Sequence, residues 1–143
     1  MFFFMTPKIR LMTVEDYSSV LKLWQQLPGI GLSSADSKEA IAQFLDYNPT
    51  TCFVLEEDQQ IVGTVLGGFD GRRGYIYHMA VAVSHQGQGW GKKLIEICMN
   101  ALKRRGAEKS HLFVYTENLT ARKFWERCGW IQRDELMIMS KDN

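Results

Sequence analysis

A strand that runs into closely spaced glycines and then directly into a helix constrains this chain most. Residues 81–92 read Val-Ala-Val-Ser-His-Gln-Gly-Gln-Gly-Trp-Gly-Lys. Glycine allows positive φ and lets a ligand approach the backbone closely. The N–H groups in the first turn of a helix have no intrahelical partner and carry partial positive charge. The segment therefore predicts a turn that binds a phosphate or pyrophosphate.

Two familiar nucleotide-binding patterns do not fit this turn. A P-loop requires glycine at position 86 and serine or threonine at 93, where this chain has Gln86 and Lys93. A dinucleotide-binding fingerprint requires glycine at position 92, which is Lys92. The strands before the turn are joined by short polar links and predict an antiparallel meander, which neither fold contains.

Hydrophobic periodicity and turn residues predict alternating strands and helices along the whole chain. Thr13 to Asp16 matches a capping box, Pro28 and Pro49 end the first two helices, and Gly106 ends the third. The order predicts an α/β (α+β) fold, a mixed and mostly antiparallel sheet of six to seven strands with helices on both faces. Strands are predicted at 8–12, 52–55, 61–66, 75–83, 111–115, 130–133 and 136–139. Helices are predicted at 13–27, at 36–48, from the glycine-rich turn to about 105, and at 118–128.

The composition predicts an ordinary globular protein. The 143 residues, with no linker or repeat, indicate a single domain over 1–143, and 45% hydrophobic residues are enough for one core. A net charge of +1 does not favour nucleic acid or an anionic membrane as the main partner. The apolar run at 1–5 is too short for a signal peptide, so we expect a cytoplasmic protein.

The cysteines have no pattern typical of a disulfide framework or a metal site. Cys52, Cys98 and Cys128 are widely spaced, and no C-x-x-C pair occurs. All three lie in apolar surroundings, so we expect buried structural thiols and no metal.

Two motifs in the expected order resemble the GNAT superfamily of acetyl-CoA-dependent N-acetyltransferases. Gln86-x-x-Gly89-x-Gly91 is similar to the family's pyrophosphate-binding turn. The run Asn118-x-x-Ala121-x-x-Phe124-Trp125-x-x-x-Gly129-Trp130 is similar to the family's second motif. The order of elements also matches the family from about 8 to 139. The resemblance implies a GNAT domain that uses acetyl-CoA as co-substrate and no metal.

The resemblance also implies which residues contact coenzyme A. In the family, the backbone of the glycine turn holds the pyrophosphate, and the pantetheine arm pairs with the exposed backbone of the fourth strand. Carried over to this chain, the pyrophosphate residues are Gln86, Gly87, Gln88, Gly89, Trp90, Gly91 and Lys92, and the pantetheine residues are Met79, Ala80, Val81 and Val83. The second motif adds Asn118 and Trp125.

The sequence departs from the family at the acid and the base. The usual tyrosine acid is replaced by Trp125, whose indole is no practical acid, and the two usual glutamate positions hold Tyr77 and Phe113. We expect Tyr77 to orient the amine or relay its proton through water, and Tyr115 to protonate the leaving thiolate. Histidine titrates near neutral pH, but His78 directly follows Tyr77 and is expected to face the opposite side of the sheet. The amine could equally lose its proton to bulk water.

The predicted function is transfer of an acetyl group from acetyl-CoA to a primary amine by direct attack in a ternary complex. The acceptor, a small molecule or a protein amine, is expected between the first two helices and the turn that joins the third and fourth strands. Arg72 and Arg73 in that turn could recognise a carboxylate, and residues 27–36 could form a lid. A non-catalytic acyl-CoA-binding sensor or interaction module is the alternative, and an exposed last strand would permit a homodimer.

Overall fold

The computed structural model describes residues 6–143. Five strands form one sheet in the order β1-β2-β3-β4-β5. The first four strands are antiparallel neighbours, and β4 and β5 are parallel. The strands are β1 (Lys8–Leu11), β2 (Cys52–Glu57), β3 (Gln60–Phe69), β4 (Gly74–Val81) and β5 (Ser110–Leu112).

Four α-helices and three short 3-10 turns complete the described chain. The α-helices are α1 (Tyr17–Gln26), α2 (Lys38–Tyr47), α3 (Trp90–Arg105) and α4 (Leu119–Arg127). The 3-10 turns are Val14–Asp16, Ser34–Asp36 and Val83–His85. The fourth strand is shorter than expected, because residues 83–85 leave the sheet as a 3-10 turn. None of the helices in residues 6–143 combines the length and the apolar character required to cross a bilayer.

Helices cover both faces of the sheet, as predicted. Adjacent residues of a strand point to opposite faces. A Cβ placed on Gly67 would lie 2.6 Å from the Sγ of Cys98 in α3, whereas one placed on Gly68 would lie 3.1 Å from the ring of Phe44 in α2. Helix α3 therefore packs on one face, and α2 packs on the other.

One part of the core lies on the face shared by α1 and α2. Trp24 and Val20 of α1 are almost completely buried there. They pack against strand residues and the inner side of α2, and the main members of this cluster are Met12, Val20, Leu23, Trp24, Ile41, Leu45, Cys52, Val54, Leu66 and Ala80. We call this the α1/α2 face below.

The described chain divides into two compact units. The first ends at Phe113 and contains the five strands with α1, α2 and α3, and the second, Val114–Asn143, contains α4. The strands predicted at 130–133 and 136–139 are wrong, since these residues form no strand in the structure. Apolar alternation alone does not make a strand, because its backbone N–H and C=O groups need a partner strand. The α/β class is confirmed, with five strands in place of six to seven. The predicted absence of a signal peptide concerns residues 1–5, which lie outside the described residues.

The cysteines follow the expectation in two cases of three. Cys52 and Cys98 are buried on opposite faces of the sheet, and Cys128 at the end of α4 is only half-buried. Burial raises the pKa of Cys52 to about 12 and also raises that of Cys98. Both buried thiols therefore stay protonated and unreactive at neutral pH.

Candidate active site

Strand β4 has a long backbone edge that no strand of the first unit covers. It pairs with β5 only over Gly74–Ile76, opposite Ser110–Leu112. Residues 77–81 of β4 continue beyond the last pair and have no partner on that side among the described strands. Unpaired strand edges can bind an extended chain by backbone hydrogen bonds. This open edge includes three of the four residues predicted to contact pantetheine, namely Met79, Ala80 and Val81.

A β-bulge interrupts the same part of β4. Thr64 of β3 lies opposite Ala80 and Leu66 lies opposite Tyr77, so three steps on β4 oppose two steps on β3. The extra residue changes the alternation of side chains along β4. Tyr77 packs against Phe44 of α2, with ring centroids 5.9 Å apart.

His78 turns to the same face as Tyr77, and the expectation that it faces the other side is wrong. Its φ of 45° lies in the left-handed region, at the point where the bulge occurs. Its ring meets Trp24 of α1 edge-on at 4.7 Å, and its Nε2 lies 2.7 Å from Oδ1 of Asp36. The ring is therefore on the α1/α2 face, next to Tyr77.

The glycine turn has the backbone geometry that an anion site requires. Gly87 has φ of 76° and Gly89 has φ of 87°, and Gly89 is the N-cap of α3. The first hydrogen bond of α3 runs from the N–H of Lys93 to the carbonyl of Gly89. Six backbone N–H groups in this turn make no hydrogen bond within the described chain, those of Gly87, Gln88, Gly89, Trp90, Gly91 and Lys92.

Gln86 stabilises the turn, and its backbone N–H and side-chain amide are already bonded within the protein. Its side-chain amide donates to the carbonyl of Val81 at 2.8 Å, and its backbone N–H donates to the carbonyl of Val83. These bonds attach the turn to the end of β4. Lys93 covers the Trp90 ring at 4.6 Å from its centroid, which places another positive charge at the start of α3.

An open cleft of about 450 Å³ lies on the α2 side of the sheet. Aromatic rings from α2, β3 and β4 form most of its wall, and the lining residues are Phe44, Tyr47, Asn48, Gly68, Phe69, Asp70, Tyr75 and Tyr77. The cleft lies at α2 and the β3–β4 turn, where the acceptor was expected, but no residue of α1 lines it. Arg72 and Arg73 belong to this turn, where their N–H groups bind Oδ1 of Asp70 at 2.7 Å, yet neither lines the cleft.

Tyr77 connects the cleft to the open edge of β4. Its side chain lines the cleft and is 38% exposed. Its ring stacks on Tyr75, with centroids 6.5 Å apart. Burial, followed by the negative charge that Tyr75 and Asp70 can carry, raises the pKa of Tyr77. The phenol therefore stays protonated at neutral pH and can donate a hydrogen bond.

The remaining predicted residues lie in the second unit. The side-chain oxygen of Asn118 accepts from the N–H of Ala121 at 3.1 Å and caps the start of α4. Trp125 packs against Phe124 and Trp130, with ring centroids 5.0 and 5.4 Å away. Tyr115 is 64% exposed.

The contact between Asp36 and His78 was not predicted from the sequence. The pattern from Asp36 to Glu39 was interpreted as a helix start, but Asp36 belongs to a 3-10 turn capped by Ser33. It is 8% exposed and bonds to His78. A capping residue is ordinarily exposed at a helix end, so the sequence contains no signal for this contact 42 residues along the chain.

Sequence comparison with known proteins identifies the family. The model of the acetyltransferase (GNAT) family matches residues 17–130. An acetyltransferase of Sodalis glossinidius is 27% identical over 134 residues, 94% of each chain. An acetyltransferase of Pectobacterium atrosepticum is 32% identical over 111 residues, 78% of each chain.

The fold also matches solved structures. The PaiA N-acetyltransferase of Thermoplasma acidophilum, solved in complex with coenzyme A, has a TM-score of 0.74 at 15% identity, covering 86% of this chain and 88% of that one. At that identity the likeness concerns the fold alone. The family match covers most of the chain and includes the glycine turn and the strand before it. The chain belongs to the GNAT family and is an acetyltransferase.

Proposed function

We propose that this enzyme transfers the acetyl group of acetyl-CoA to a primary amine by direct attack within a ternary complex. One observation supports this most. The open edge of β4 leads within a few residues to the free N–H groups at the start of α3. An extended polar arm followed by a pyrophosphate requires such a strand edge followed by an anion-binding turn.

The described residues fit coenzyme A in two parts. The N–H groups of residues 87–92 would hold the pyrophosphate, supported by the positive end of α3. The backbone of Met79, Ala80 and Val81 would pair with the amide groups of pantetheine as an added strand. The PaiA enzyme, which shares this fold, was solved with coenzyme A bound. Val83, which is 73% exposed in the following 3-10 turn, would lie next to the arm.

We place the acceptor in the aromatic cleft. Its wall is mostly apolar, and Tyr77 presents a phenol at the side that borders the open strand edge. Such a cleft suits an amine carried on an apolar or aromatic group better than a strongly charged acceptor. The acceptor could be a small molecule or an amine of a protein.

The chemistry requires the amine to be uncharged, because the nitrogen lone pair must attack the carbonyl carbon. Alkyl amines are mostly protonated at neutral pH, so a proton must leave first. Acetyl-CoA supplies an activated thioester, and the chain must supply position and proton transfer. Since its pKa is raised, Tyr77 suits orientation of the amine and not acceptance of its proton.

We retain Tyr115 as the proposed proton donor to the leaving thiolate, and Asn118 and Trp125 as proposed contacts of coenzyme A.

Thermal melts test the co-substrate. Acetyl-CoA at about 100 times its Kd adds about 2.7 kcal/mol to the unfolding free energy. For a chain of this size that raises Tm by about 8–14 °C. ATP and NAD are the controls, since each contains a pyrophosphate linkage but no pantetheine arm. A rise with ATP or NAD and none with acetyl-CoA would contradict the proposal.

A second experiment separates the enzyme from a binding module. Wild-type protein is incubated with acetyl-CoA and a panel of aliphatic amines, aromatic amines and peptides with a free N-terminus, and thiol release is followed. Turnover with at least one amine supports the transferase. A full thermal shift without acetylation of any amine would support a non-catalytic acyl-CoA-binding module.

A further inference from the structure

A histidine–aspartate pair lies on the α1/α2 face, where His78 directly follows Tyr77 in β4; Tyr77 lines the aromatic cleft, whereas His78 and Asp36 do not. Nε2 of His78 is 2.7 Å from Oδ1 of Asp36. The second carboxylate oxygen of Asp36 accepts from the N–H of Ser33 at 3.0 Å, and the Tyr17 hydroxyl donates to the Asp36 carbonyl at 2.6 Å. The Ser33 bond therefore holds the carboxylate that faces the imidazole, and the Tyr17 bond holds the backbone of Asp36.

This arrangement selects one tautomer of the imidazole. An ionised carboxylate only accepts hydrogen bonds, so Nε2 of His78 must carry the proton, and Nδ1 keeps its lone pair. Nδ1 has no hydrogen-bond partner among residues 6–143. Every fully buried side-chain nitrogen and oxygen in that range has a partner, so Nδ1 is not fully buried, and the His78 side chain is 17% exposed.

The backbone holds His78 in a costly conformation. A left-handed φ on a residue other than glycine is unfavourable, and such residues cluster at functional sites. The Thr64 hydroxyl stabilises this conformation by donating to the His78 carbonyl at 2.8 Å. Because of this backbone conformation, the His78 ring lies on the same face of the sheet as Tyr77. His78 also belongs to the part of β4 whose edge is open.

We propose that His78 accepts the proton of the acceptor amine and that Asp36 is the positioning residue that orients it. The inference rests on the proposed acetyl transfer. In this step an N–H bond of the ammonium breaks, the electron pair stays on nitrogen, and the proton bonds to Nδ1 of His78. The carboxylate of Asp36 stabilises the resulting imidazolium, which later releases its proton to water. The neutral amine is then ready to attack.

The kinetic test compares His78→Asn with the wild-type enzyme. Asparagine tolerates the left-handed region well, so the bulge should persist. Glu57→Gln is the control, because Glu57 forms another carboxylate–histidine pair, 3.1 Å from Nε2 of His85, and lies at the end of β2. Acetyl-CoA is saturating, and the nucleophiles are the fastest alkylamine of the panel and hydroxylamine. Hydroxylamine is mostly uncharged at neutral pH and does not need to lose a proton before attack.

We expect His78→Asn to lower kcat for the alkylamine by about 10²–10⁴-fold, with a much smaller loss for hydroxylamine. The thermal shift with acetyl-CoA should remain, and Glu57→Gln should keep the wild-type kcat. An equal loss of kcat for both nucleophiles would mean that His78 has a structural role, and the proposal would be overturned. An unchanged kcat for the alkylamine would also overturn it. Failure of the proposed acetyl transfer can be distinguished from failure of the His78 proposal, since the wild-type protein would then release no thiol with any amine.

A spectroscopic test needs no substrate. In ¹⁵N-labelled protein the imidazole nitrogens report which one carries the proton. Wild-type protein should show His78 protonated at Nε2 and without a proton at Nδ1. Asp36→Asn should change the distribution of the proton between the two nitrogens and lower kcat. It should not alter the thermal shift with acetyl-CoA. A proton on Nδ1 in the wild-type protein would overturn the proposal, because the site would then have no accepting nitrogen.

Discussion

At the scale of single residues, Thr64 joins a helix, two strands and the bulge through one hydroxyl group. Its Oγ accepts from the indole N–H of Trp24 at 2.9 Å and donates to the carbonyl of His78 at 2.8 Å. The side chain is completely buried. Both partners would otherwise be unsatisfied in the interior, where an unpaired polar group is costly.

Thr64→Val should therefore lower the unfolding free energy by about 1–3 kcal/mol, although the two side chains have almost the same shape. Urea denaturation measures the loss. Thr64→Ser is the control, since it keeps the hydroxyl and removes only a methyl group. A loss as large in Thr64→Ser as in Thr64→Val would show that packing, and not hydrogen bonding, accounts for the effect.

Gly67 is required where α3 approaches β3. A Cβ at this position would lie 2.6 Å from the Sγ of Cys98 and 2.6 Å from the Thr51 carbonyl oxygen. The second contact is with backbone and cannot be relieved by a change of rotamer. Gly67→Ala should cost about 1–3 kcal/mol of stability by overpacking, measured by the same denaturation.

Gly68→Ala is the matched control for Gly67→Ala. Its added methyl group would meet the edge of the Phe44 ring at 3.1 Å, and that ring is only half-buried. A smaller loss is expected because the ring can move. Equal stability of the two variants would contradict the proposed close contact of α3.

At the scale of elements, β4 and the turn that follows it carry most of the site. The strand loses its β5 neighbour after Ile76, bulges next to His78 and then passes into the free N–H groups before α3. A regular strand paired on both sides would expose neither a backbone edge nor a strained histidine. The site therefore depends on interruptions of regular structure and not on a loop added to it.

Gly89→Ala should abolish or strongly weaken acetyl-CoA binding. An added methyl group meets no atom within 4 Å, but the φ of 87° disfavours alanine and the turn would rearrange. Gly71→Ala is the control, with φ of 92° and equally free space in the β3–β4 turn. Isothermal titration calorimetry should show lost binding in the first variant and wild-type affinity in the second. Retained affinity in Gly89→Ala would show that the pyrophosphate lies elsewhere.

At the scale of the whole molecule, an ion cluster joins β1, β2 and the chain before α1. Arg10 donates to Asp16 at 2.9 and 2.8 Å and to Glu56 at 2.7 Å. Burial alone would raise the pKa of Asp16, but bonds from Arg10 and Thr13 outweigh it and lower this pKa. The hydrogen bond from Arg10 likewise lowers the pKa of Glu56.

These lowered pKa values make stability depend on pH in the acid range. Above their ordinary pKa values, near 4, both acids are charged in either state and the stabilisation is fully present. As pH falls, the unfolded chain binds protons first, so the unfolding free energy should decline through the lower folded pKa values. Urea denaturation between pH 2 and 7 measures the slope.

Arg10→Gln should flatten this decline, because the folded acids then titrate more like the unfolded ones. Arg133→Gln is the control, since Arg133 pairs with Glu135 at the exposed surface of the second unit. It should leave the slope unchanged, as exposed pairs contribute little. An undiminished slope in Arg10→Gln would assign the acid sensitivity to other groups.

The sequence by itself determined the features that depend on neighbouring residues. Periodicity predicted the four α-helices and the central strands, and the glycine pattern predicted the positive φ values of Gly87 and Gly89. Two short motifs identified the family. These features follow from local sterics and hydrogen bonding, which a short stretch of sequence specifies.

Only the tertiary structure decided on which side of the sheet His78 lies, that it contacts Asp36, and that the last two predicted strands do not form. One extra residue in a bulge reverses the alternation of side chains, and no composition signal marks where it occurs. The Asp36 contact joins residues 42 positions apart. Strand formation at 130–139 depends on a partner edge, which lies outside any local stretch of sequence. Contacts of this kind are set by packing of the whole chain, so the acid–base chemistry of the site could not be predicted from its motifs.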